Sequence, residues 1–429
     1  MQLTLFKEEI GLKTRENSIA NKIMEEDRVF HDWYRFVLSF PPHLVREYIK
    51  KFRLGKIDTL LDPFCGTGTT LVEAKLNSVP SLGCEANAMA FLASKTKINW
   101  EIDPEKLINT AKKIETDATS IEKVQHINET YRLNEEQKKL ILKDSIDELP
   151  LSKALLLCDL IKKSKHEELK GHLLLALAKI LVYSISNLHF GPEVGVRKSK
   201  KKDYPVYLIW LNQVISIASD IKKTNCNRTV SRVFNIDSRD ISDYIEKSSV
   251  SAVFTSPPYP NEKDYTRTTR LESVILGLIR SKEELKNLKF NLLRSNTRNV
   301  YKVDNDEEYI KNNSRIIELA DTIEKKRIAL GKTSGFEKLY PRVVKLYFGG
   351  MARHLAQLRM CLKPGAILGY VIGDQASYFQ VLIQTGSILE DIARELGYKI
   401  ISLDLFRTRL ATATKKQMRE EVLVLEWPG

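Results

Sequence analysis

Two successive segments of the chain each combine a short apolar stretch, a turn and a helical pattern. The first is IDTLLDPFCGTGTTLVEAKLNS, residues 57–78, and the second is PSLGCEANAMAFLASKTK, residues 80–97. The pattern predicts a buried strand over 57–61, a glycine-bearing turn over 62–69 and a helix from residue 70, followed by a second strand, an acidic residue and a helix. Consecutive strand–turn–helix units form parallel sheets covered by helices on both faces. This feature therefore predicts an α/β fold.

The rest of the chain divides into segments of different character. The patterns indicate an N-terminal arm (1–26), the first part of the sheet domain (27–100), a mainly helical insertion (101–231), a return of the sheet pattern (232–280), an irregular insertion rich in Lys, Arg and Asn (281–340), and the C-terminal part of the sheet domain (341–429). An amphipathic helix entered through Pro41 and Pro42 precedes the first strand. The last segment indicates a helix, a Lys-Pro-Gly turn, a strand, and two strands suited to antiparallel pairing.

Composition limits the partners and the compartment. The 429 residues carry a net charge of +13, with 68 Lys and Arg against 55 Asp and Glu, which favours a polyanionic partner such as nucleic acid. The five cysteines are widely spread and form no CxxC pair, which argues against a disulfide framework or a metal site. The start of the chain does not resemble a secretory signal, and no apolar run is long enough for a bilayer. We therefore expect a cytoplasmic protein without bound metal.

Glycines or an acidic side chain follow three of the predicted strands. Gly66 and Gly68 follow the first, Glu85 ends the second, and Asp237 ends a third in FNIDSRD. In α/β nucleotide sites, a carboxylate at a strand end can accept both hydroxyls of a ribose, and we expect a second to accept from an adenine amino group. The turn lacks the lysine of a phosphate loop and the third glycine of the dinucleotide motif. The three strand ends predict an adenosine-shaped ligand, although a tight turn and helix caps would also explain these residues.

The stretch SAVFTSPPYPNEKDYT, residues 251–266, runs a buried-type strand into two adjacent prolines and a tyrosine. Proline fixes φ and favours extended geometry in the residue before it. The sequence therefore predicts a stiff loop at a strand end, able to hold one ring and a few polar atoms in a fixed arrangement.

The combination of DPFCGTGTT with TSPPY resembles the DNA amino-methyltransferases, which methylate exocyclic amines with S-adenosylmethionine. The resemblance covers roughly residues 30–76, 81–93 and 233–277. It implies a Rossmann-like, seven-stranded methyltransferase sheet with a terminal antiparallel hairpin, to which this chain adds a helical insertion. The serine form of the loop is most similar to the cytosine-N4 branch, whereas Asp and Asn forms are more usual in adenine-N6 enzymes.

The resemblance also implies roles for individual residues. The Ser256 hydroxyl and the Pro257 carbonyl would orient the cytosine amine, Pro258 would help to keep them rigid, and Tyr259 would stack on a base flipped out of the duplex. Serine is a poor base, so we expect direct transfer with late loss of a proton to water. Cytosine-carbon enzymes need a Pro-Cys nucleophile, and none of the five cysteines follows a proline. The implied cofactor-binding residues are Phe40, Asp62, Phe64, Gly66, Gly68, Thr69, Thr70, Glu85, Asp237 and Ser238.

The favoured function is methylation of double-stranded DNA at cytosine N4, as the protective partner of a separately acting restriction endonuclease. Adenine-N6 methylation, RNA amine methylation and a catalytically silent DNA-binding protein are the alternatives, and monomer and dimer both remain open. Either insertion is a candidate for DNA recognition. The basic residues expected to contact DNA are Arg197, Lys198, Lys200, Lys201 and Lys202 in the first insertion, and Arg294 and Arg298 in the second. Such residues are equally compatible with a solvated surface.

Overall fold

The computed structural model describes residues 23–35, 39–190, 194–197, 204–224, 228–261, 263–410 and 417–429. A seven-stranded sheet lies at its centre, in the order β5-β2-β1-β6-β7-β9-β8. The strands are β1 (Leu60–Asp62), β2 (Ser81–Cys84), β3 (Leu188–Phe190), β4 (Val194–Val196), β5 (Ser231–Phe234), β6 (Val250–Thr255), β7 (Leu362–Gly373), β8 (Lys399–Leu410) and β9 (Gln417–Trp427), of which β3 and β4 form a separate hairpin. The first five strands in this order, β5, β2, β1, β6 and β7, pair in parallel with their neighbours. Strand β9 pairs antiparallel with both β7 and β8. The α/β fold with a terminal antiparallel hairpin is confirmed.

Helices cover the sheet and form most of both insertions. They are α1 (Pro42–Lys51), α2 (Thr69–Leu76), α3 (Ala88–Lys97), α4 (Pro104–Val124), α5 (Ile127–Thr130), α6 (Glu135–Lys138), α7 (Glu148–Lys163), α8 (Glu167–Ile180), α9 (Val206–Lys223), α10 (Tyr265–Thr268), α11 (Arg270–Ile275), α12 (Lys282–Phe290), α13 (Ser314–Ala329), α14 (Gly335–Leu358) and α15 (Thr385–Glu395). Helix α1 begins at Pro42, as expected, because a proline in the first turn needs no hydrogen-bond acceptor for its nitrogen. Within the described residues, no helix combines the length and the apolar character needed to cross a membrane.

Apolar side chains form separate clusters around the sheet. One cluster joins α14 and α15 to the central strands, and another joins α1 to β1, β6, β7 and β9. The largest contains the apolar residues of α4, α7, α8 and α9 together with those of α2, α3 and α11. The helices of the first insertion therefore share a core with helices that flank the sheet.

The first strand is shorter than the sequence predicted. It begins at Leu60, and the predicted strand residue Ile57 is 92% exposed. A turn explains the difference, because the Asp58 amide donates to the Gly55 carbonyl and the Gly55 amide donates to the Asp58 carboxylate. This turn places Ile57 at its exposed side instead of in the sheet.

The expected irregular structure of residues 281–340 was wrong, because α12, α13 and the start of α14 lie there. Their N-termini are capped by Ser281, Asn313 and Ser334, and Ser334 forms a capping box with Glu337. A serine followed three residues later by a glutamate is a helix-start signal, so the sequence contained it.

Two smaller features also differ from the prediction. The Lys-Pro-Gly segment over 363–365 lies within β7, at an irregularity in its pairing with β6, and does not form a separate turn before the strand. The β3–β4 hairpin inside the first insertion was not predicted.

Candidate active site

A cleft with a volume of about 350 Å³ lies at the carboxyl ends of β1, β2 and β6. Its wall includes Gly66, Glu85, Asp237, Ser256 and Tyr259. Strand β1 is central here, because β2 and β5 lie on one side of it and β6 and β7 on the other. Ligands of open α/β sheets bind at such a change in strand order. The structure therefore brings the glycine turn, the strand-end acids and the proline loop to one site.

The glycine turn and Glu85 are connected by hydrogen bonds. Gly66 and Gly68 have positive φ values of 51° and 85°, a conformation that glycine adopts without strain. The Gly66 amide donates to Glu85 Oε2 at 2.8 Å, and the Asn87 amide donates to Oε1 at 2.7 Å. Burial raises the pKa of Glu85 to about 7, although these two amides act in the opposite direction. Glu85 is thus a half-buried carboxylate held in one orientation at the cleft wall.

Four other predicted cofactor residues also line the cleft: Phe40, Phe64, Thr69 and Ser238. The Phe40 ring packs edge-on against Phe254, and the Phe64 ring packs against His354 with ring centres 4.9 Å apart. Both phenylalanines are half-buried, so each contributes an apolar surface to the wall.

Asp62, Gly68 and Thr70 do not line the cleft, contrary to expectation. Asp62 is fully buried, and its carboxylate accepts from the Phe64 amide at 3.1 Å and from the Thr255 hydroxyl at 2.6 Å. Burial raises its pKa to about 6, and these hydrogen bonds partly offset that effect. The Thr70 hydroxyl bonds to the Phe254 carbonyl. Asp62 thus links β1 to β6, and Thr70 links the start of α2 to β6.

The proline loop lies directly beside β7. The Tyr259 amide donates to the Tyr265 hydroxyl at 3.4 Å, and a side-chain carbon added at Gly373 would come within 3.2 Å of the Tyr259 ring. Burial raises the pKa of Tyr259 above its usual value; nearby Glu420 raises it further, and Ser256 opposes them through a hydrogen bond. Tyr259 therefore presents a neutral, half-buried ring to the cleft.

Asp237 lies at the cleft, but its carboxylate is already occupied. Oδ1 accepts from the Arg239 amide and Nε, and Oδ2 accepts from Arg239 Nε and Nη2. A carboxylate offers about four lone-pair positions. Arg239 Nε shares one hydrogen between the two oxygens, so three donor hydrogens engage the carboxylate, and the hydrogen bond from an adenine amino group to Asp237 stays a prediction.

Several cleft residues were not among the predicted catalytic or cofactor-binding residues, although Asn296 and Asn299 lie in the stretch RSNTRNVYK, whose Arg, Asn and Tyr side chains could read base edges. Lys263, Asn296 and Asn299 come from the segments that follow the proline loop and α12, while Arg407, Arg409 and Glu420 come from the terminal hairpin. Glu420 is 8% exposed and pairs with both arginines. The pairing of β9 with β7 places Glu420 beside Gly373 at the end of β7, and the pairing of β8 with β9 places Arg407 beside Glu420.

The predicted DNA-binding residues fall into three groups. Arg197 and Arg298 are exposed, as phosphate contacts require. Arg294 is 3% exposed, and its guanidinium binds Asp304 and backbone carbonyls, which contradicts its expected role in contacting DNA. The remaining four, Lys198, Lys200, Lys201 and Lys202, lie outside the described residues.

Comparisons with known proteins agree with this site. Residues 13–96 match the DNA methylase family of N6 and N4 amino-methyltransferases. The Type II methyltransferase M.BsoBI of Geobacillus stearothermophilus is 25% identical over an alignment of 457 positions that covers 97% of this chain and 89% of that protein. The Type II methyltransferase M.AvaI of Anabaena variabilis is 24% identical, with coverage of 95% and 88%.

A shorter match involves a tRNA (guanine(10)-N2)-dimethyltransferase of Methanocaldococcus jannaschii, which is 42% identical over 60 residues, or 14% of this chain and 16% of that protein. The full-length matches, the family match, the sheet order and the cleft agree with one another. Together they support a DNA amino-methyltransferase, a class of enzyme that uses S-adenosylmethionine as the methyl donor.

Proposed function

We propose that this protein methylates the exocyclic N4 amine of a cytosine flipped out of double-stranded DNA, and that it protects DNA from a separately acting restriction endonuclease. One observation carries the proposal: Gly66 and Glu85 share a cleft with Ser256 and Tyr259. The serine form of the proline loop favours cytosine over adenine as the target. The Type II methyltransferases among the relatives support a role in restriction and modification.

The described residues fit the cofactor. The half-buried Glu85 carboxylate would accept from the ribose hydroxyls, and the Gly66 turn leaves room for close approach of the ligand to the backbone. Thr67 lines the same wall, and its buried hydroxyl has no hydrogen-bond partner among the described residues, so a ligand could supply one. When bound, S-adenosylmethionine supplies an electrophilic methyl group.

The proline loop would prepare the amine as a nucleophile. The lone pair of a cytosine amine is drawn into the ring, so acceptors around its hydrogens are needed to give the nitrogen tetrahedral character. The Ser256 hydroxyl and the Pro257 carbonyl would serve as these acceptors. Because Pro257 and Pro258 restrict the backbone of the loop, little further conformational freedom would be lost when these acceptors engage the amine. Tyr259 would stack on the base. The amine proton would leave to water after the bond between the nitrogen and the methyl carbon forms, because the proline loop provides no strong base.

DNA contacts would involve both insertions. Arg298 is exposed beside cleft residues Asn296 and Asn299, which supports the proposal that the second insertion would read bases near the target. Arg197 and the lysines over 198–202 would hold phosphates, which contribute affinity and salt dependence but not sequence choice.

The test is to express the protein in a host lacking methylated cytosine and adenine, digest the DNA to nucleosides and analyse them by mass spectrometry. We expect N4-methyldeoxycytidine. Ser256→Ala should lower the rate by about a hundredfold, whereas Ser120→Ala, an exposed hydroxyl on α4, should not change it. N6-methyldeoxyadenosine alone would overturn the cytosine assignment, and the absence of both modified bases would overturn DNA methylation.

A further inference from the structure

The cleft contains a buried hydrogen-bond acceptor that the proposed chemistry does not use. Asn299 lines the cleft and is 3% exposed. Its Oδ1 has no hydrogen-bond partner among the described residues. A buried polar atom in a native protein is nearly always paired, so this oxygen is available to accept a hydrogen bond from whatever occupies the cleft, whether ordered water or a ligand.

The orientation of the Asn299 amide is fixed by its other end. Nδ2 donates to the Leu293 carbonyl at 3.2 Å. Reversing the amide would put two oxygen atoms in contact, so the hydrogen-bond network assigns the acceptor to the free position. Asn299 therefore accepts a hydrogen bond and does not donate one at this position.

Asn299 is connected to the Arg239 side of the cleft through Leu293, which lies three residues after Phe290, whose carbonyl accepts from Arg239. The side chains of Leu293 and Arg239 both lie close to Gly350 on α14. A side-chain carbon added at Gly350 would be 2.5 Å from Leu293 Cδ1 and 3.6 Å from Arg239 Cδ. Arg239 in turn occupies the Asp237 carboxylate. Because Arg239 already engages Asp237, a second acceptor in this region would strengthen the binding of an adenine amino group.

We propose that Asn299 Oδ1 accepts a hydrogen bond from the exocyclic amino group of the cofactor's adenine ring. The inference rests on the proposed position of the cofactor, with its ribose at Glu85. It makes a residue of the second insertion part of the cofactor site. A flipped cytosine or adenine also carries an exocyclic amine, so the experiment must separate these two sources.

The experiment is calorimetric titration with S-adenosylhomocysteine and with S-inosylhomocysteine, in which an oxygen replaces the amino group. The unmodified protein should bind the adenosyl ligand about tenfold or more tightly, because the inosyl ligand leaves a buried acceptor unpaired. Asn299→Ala should reduce this preference to about threefold or less. Asn305→Ala, an exposed position outside the cleft, should retain the full preference.

Each other result has a distinct meaning. An unchanged preference in Asn299→Ala would overturn the proposal, and a raised KM for DNA in that variant would then assign the acceptor to the target base. Equal affinities for both ligands in the unmodified protein would overturn it even if Asn299→Ala failed to fold. Failure of the unmodified protein to bind S-adenosylhomocysteine would instead contradict the proposed cofactor site.

Discussion

The first insertion, residues 101–231, buries mainly aliphatic side chains, among them Leu156, Leu173 and Leu177, which are fully shielded from solvent. The second insertion, residues 281–340, buries an unusual number of polar ones, including Arg294 and Asp306. The first shares its core with helices that flank the sheet, whereas the second contributes side chains to the cleft wall. Two segments that interrupt the same fold thus have different relations to the site.

Buried charge connects the second insertion to the cofactor side of the cleft. Arg239 pairs with Asp237 at the end of β5 and with Asp306 in the insertion, and it also donates to the Phe290 carbonyl. Such a network holds a geometry only when every partner is present. Apolar burial in the first insertion stabilises the scaffold without that directional requirement.

The largest effect is expected from Arg239→Met. The substitution removes the cation shared by the half-buried Asp237 and the buried Asp306, which keeps only its longer contact with Arg353, so the free energy of unfolding should fall by about 3 kcal/mol. Cofactor affinity should fall as well, because the part of the cleft wall that contains Asp237 would no longer be held in position by Arg239. Denaturant unfolding and calorimetry measure these effects. The control is Arg315→Met, which breaks a partly exposed pair with Asp391 and should cost less than about 1 kcal/mol. Equal costs for the two variants would contradict the proposed connection.

A second large effect should separate stability from binding. Leu177→Ala in α8 opens a cavity in the first insertion, so the free energy of unfolding should fall by about 2–5 kcal/mol. Cofactor affinity, measured where the variant is still folded, should be unchanged. A loss of affinity in the folded variant would show that the first insertion also shapes the cleft.

A third prediction concerns pH. Burial raises the pKa of Glu85 to about 7, and ribose hydroxyls donate to the ionised carboxylate. Affinity for S-adenosylhomocysteine should therefore fall by about tenfold for each pH unit well below 7. Glu85→Gln should remove this dependence. Glu272→Gln is the control, because burial also raises the pKa of Glu272 to about 7 but Glu272 does not line the cleft. A pH dependence that survives Glu85→Gln would contradict this role.

The same raised pKa affects stability with a defined sign. The folded state binds the Glu85 proton more tightly than the unfolded state, so the contribution to stability is present at low pH and is lost as pH rises through about 7. Glu85→Gln should therefore raise the free energy of unfolding at about pH 8, and the gain should vanish near about pH 4.

The smallest effect is expected at single exposed arginines. Arg298→Ala and Arg197→Ala should each reduce the magnitude of the slope of log affinity against log salt concentration by about 1, which corresponds to the loss of one phosphate contact. If the second insertion reads bases, Arg298→Ala should also change the preference among DNA sequences, while Arg197→Ala should weaken all of them equally. Filter binding at several salt concentrations distinguishes these results.

The predictable part of the fold came from local patterns. Gly66, Gly68 and Glu85 follow apolar strands directly, and parallel strands bring their carboxyl ends together, so sequence order was enough to expect one cleft. The helix starts at Ser281 and Ser334 were visible as capping patterns but were not used. Ile57 was misassigned because an aliphatic side chain can also occupy a turn.

The rest of the site depends on contacts between distant parts of the chain. Glu420 and Asn299 reach the cleft only after the hairpin and the second insertion have packed, and no local pattern encodes that packing. The occupation of Asp237 by Arg239 was also not evident, because a strand-end acid gives the same pattern whether it binds a ligand or a neighbouring guanidinium.

The central claim is that one cleft holds both the cofactor and the flipped base. The most direct measurement is a structure of the protein with S-adenosylhomocysteine and its target DNA. We expect ribose hydroxyls on Glu85, an extrahelical cytosine stacked on Tyr259, and its amine about 3–3.5 Å from the Ser256 hydroxyl. A base that remains stacked in the duplex, or one that enters the protein away from Ser256, would contradict it.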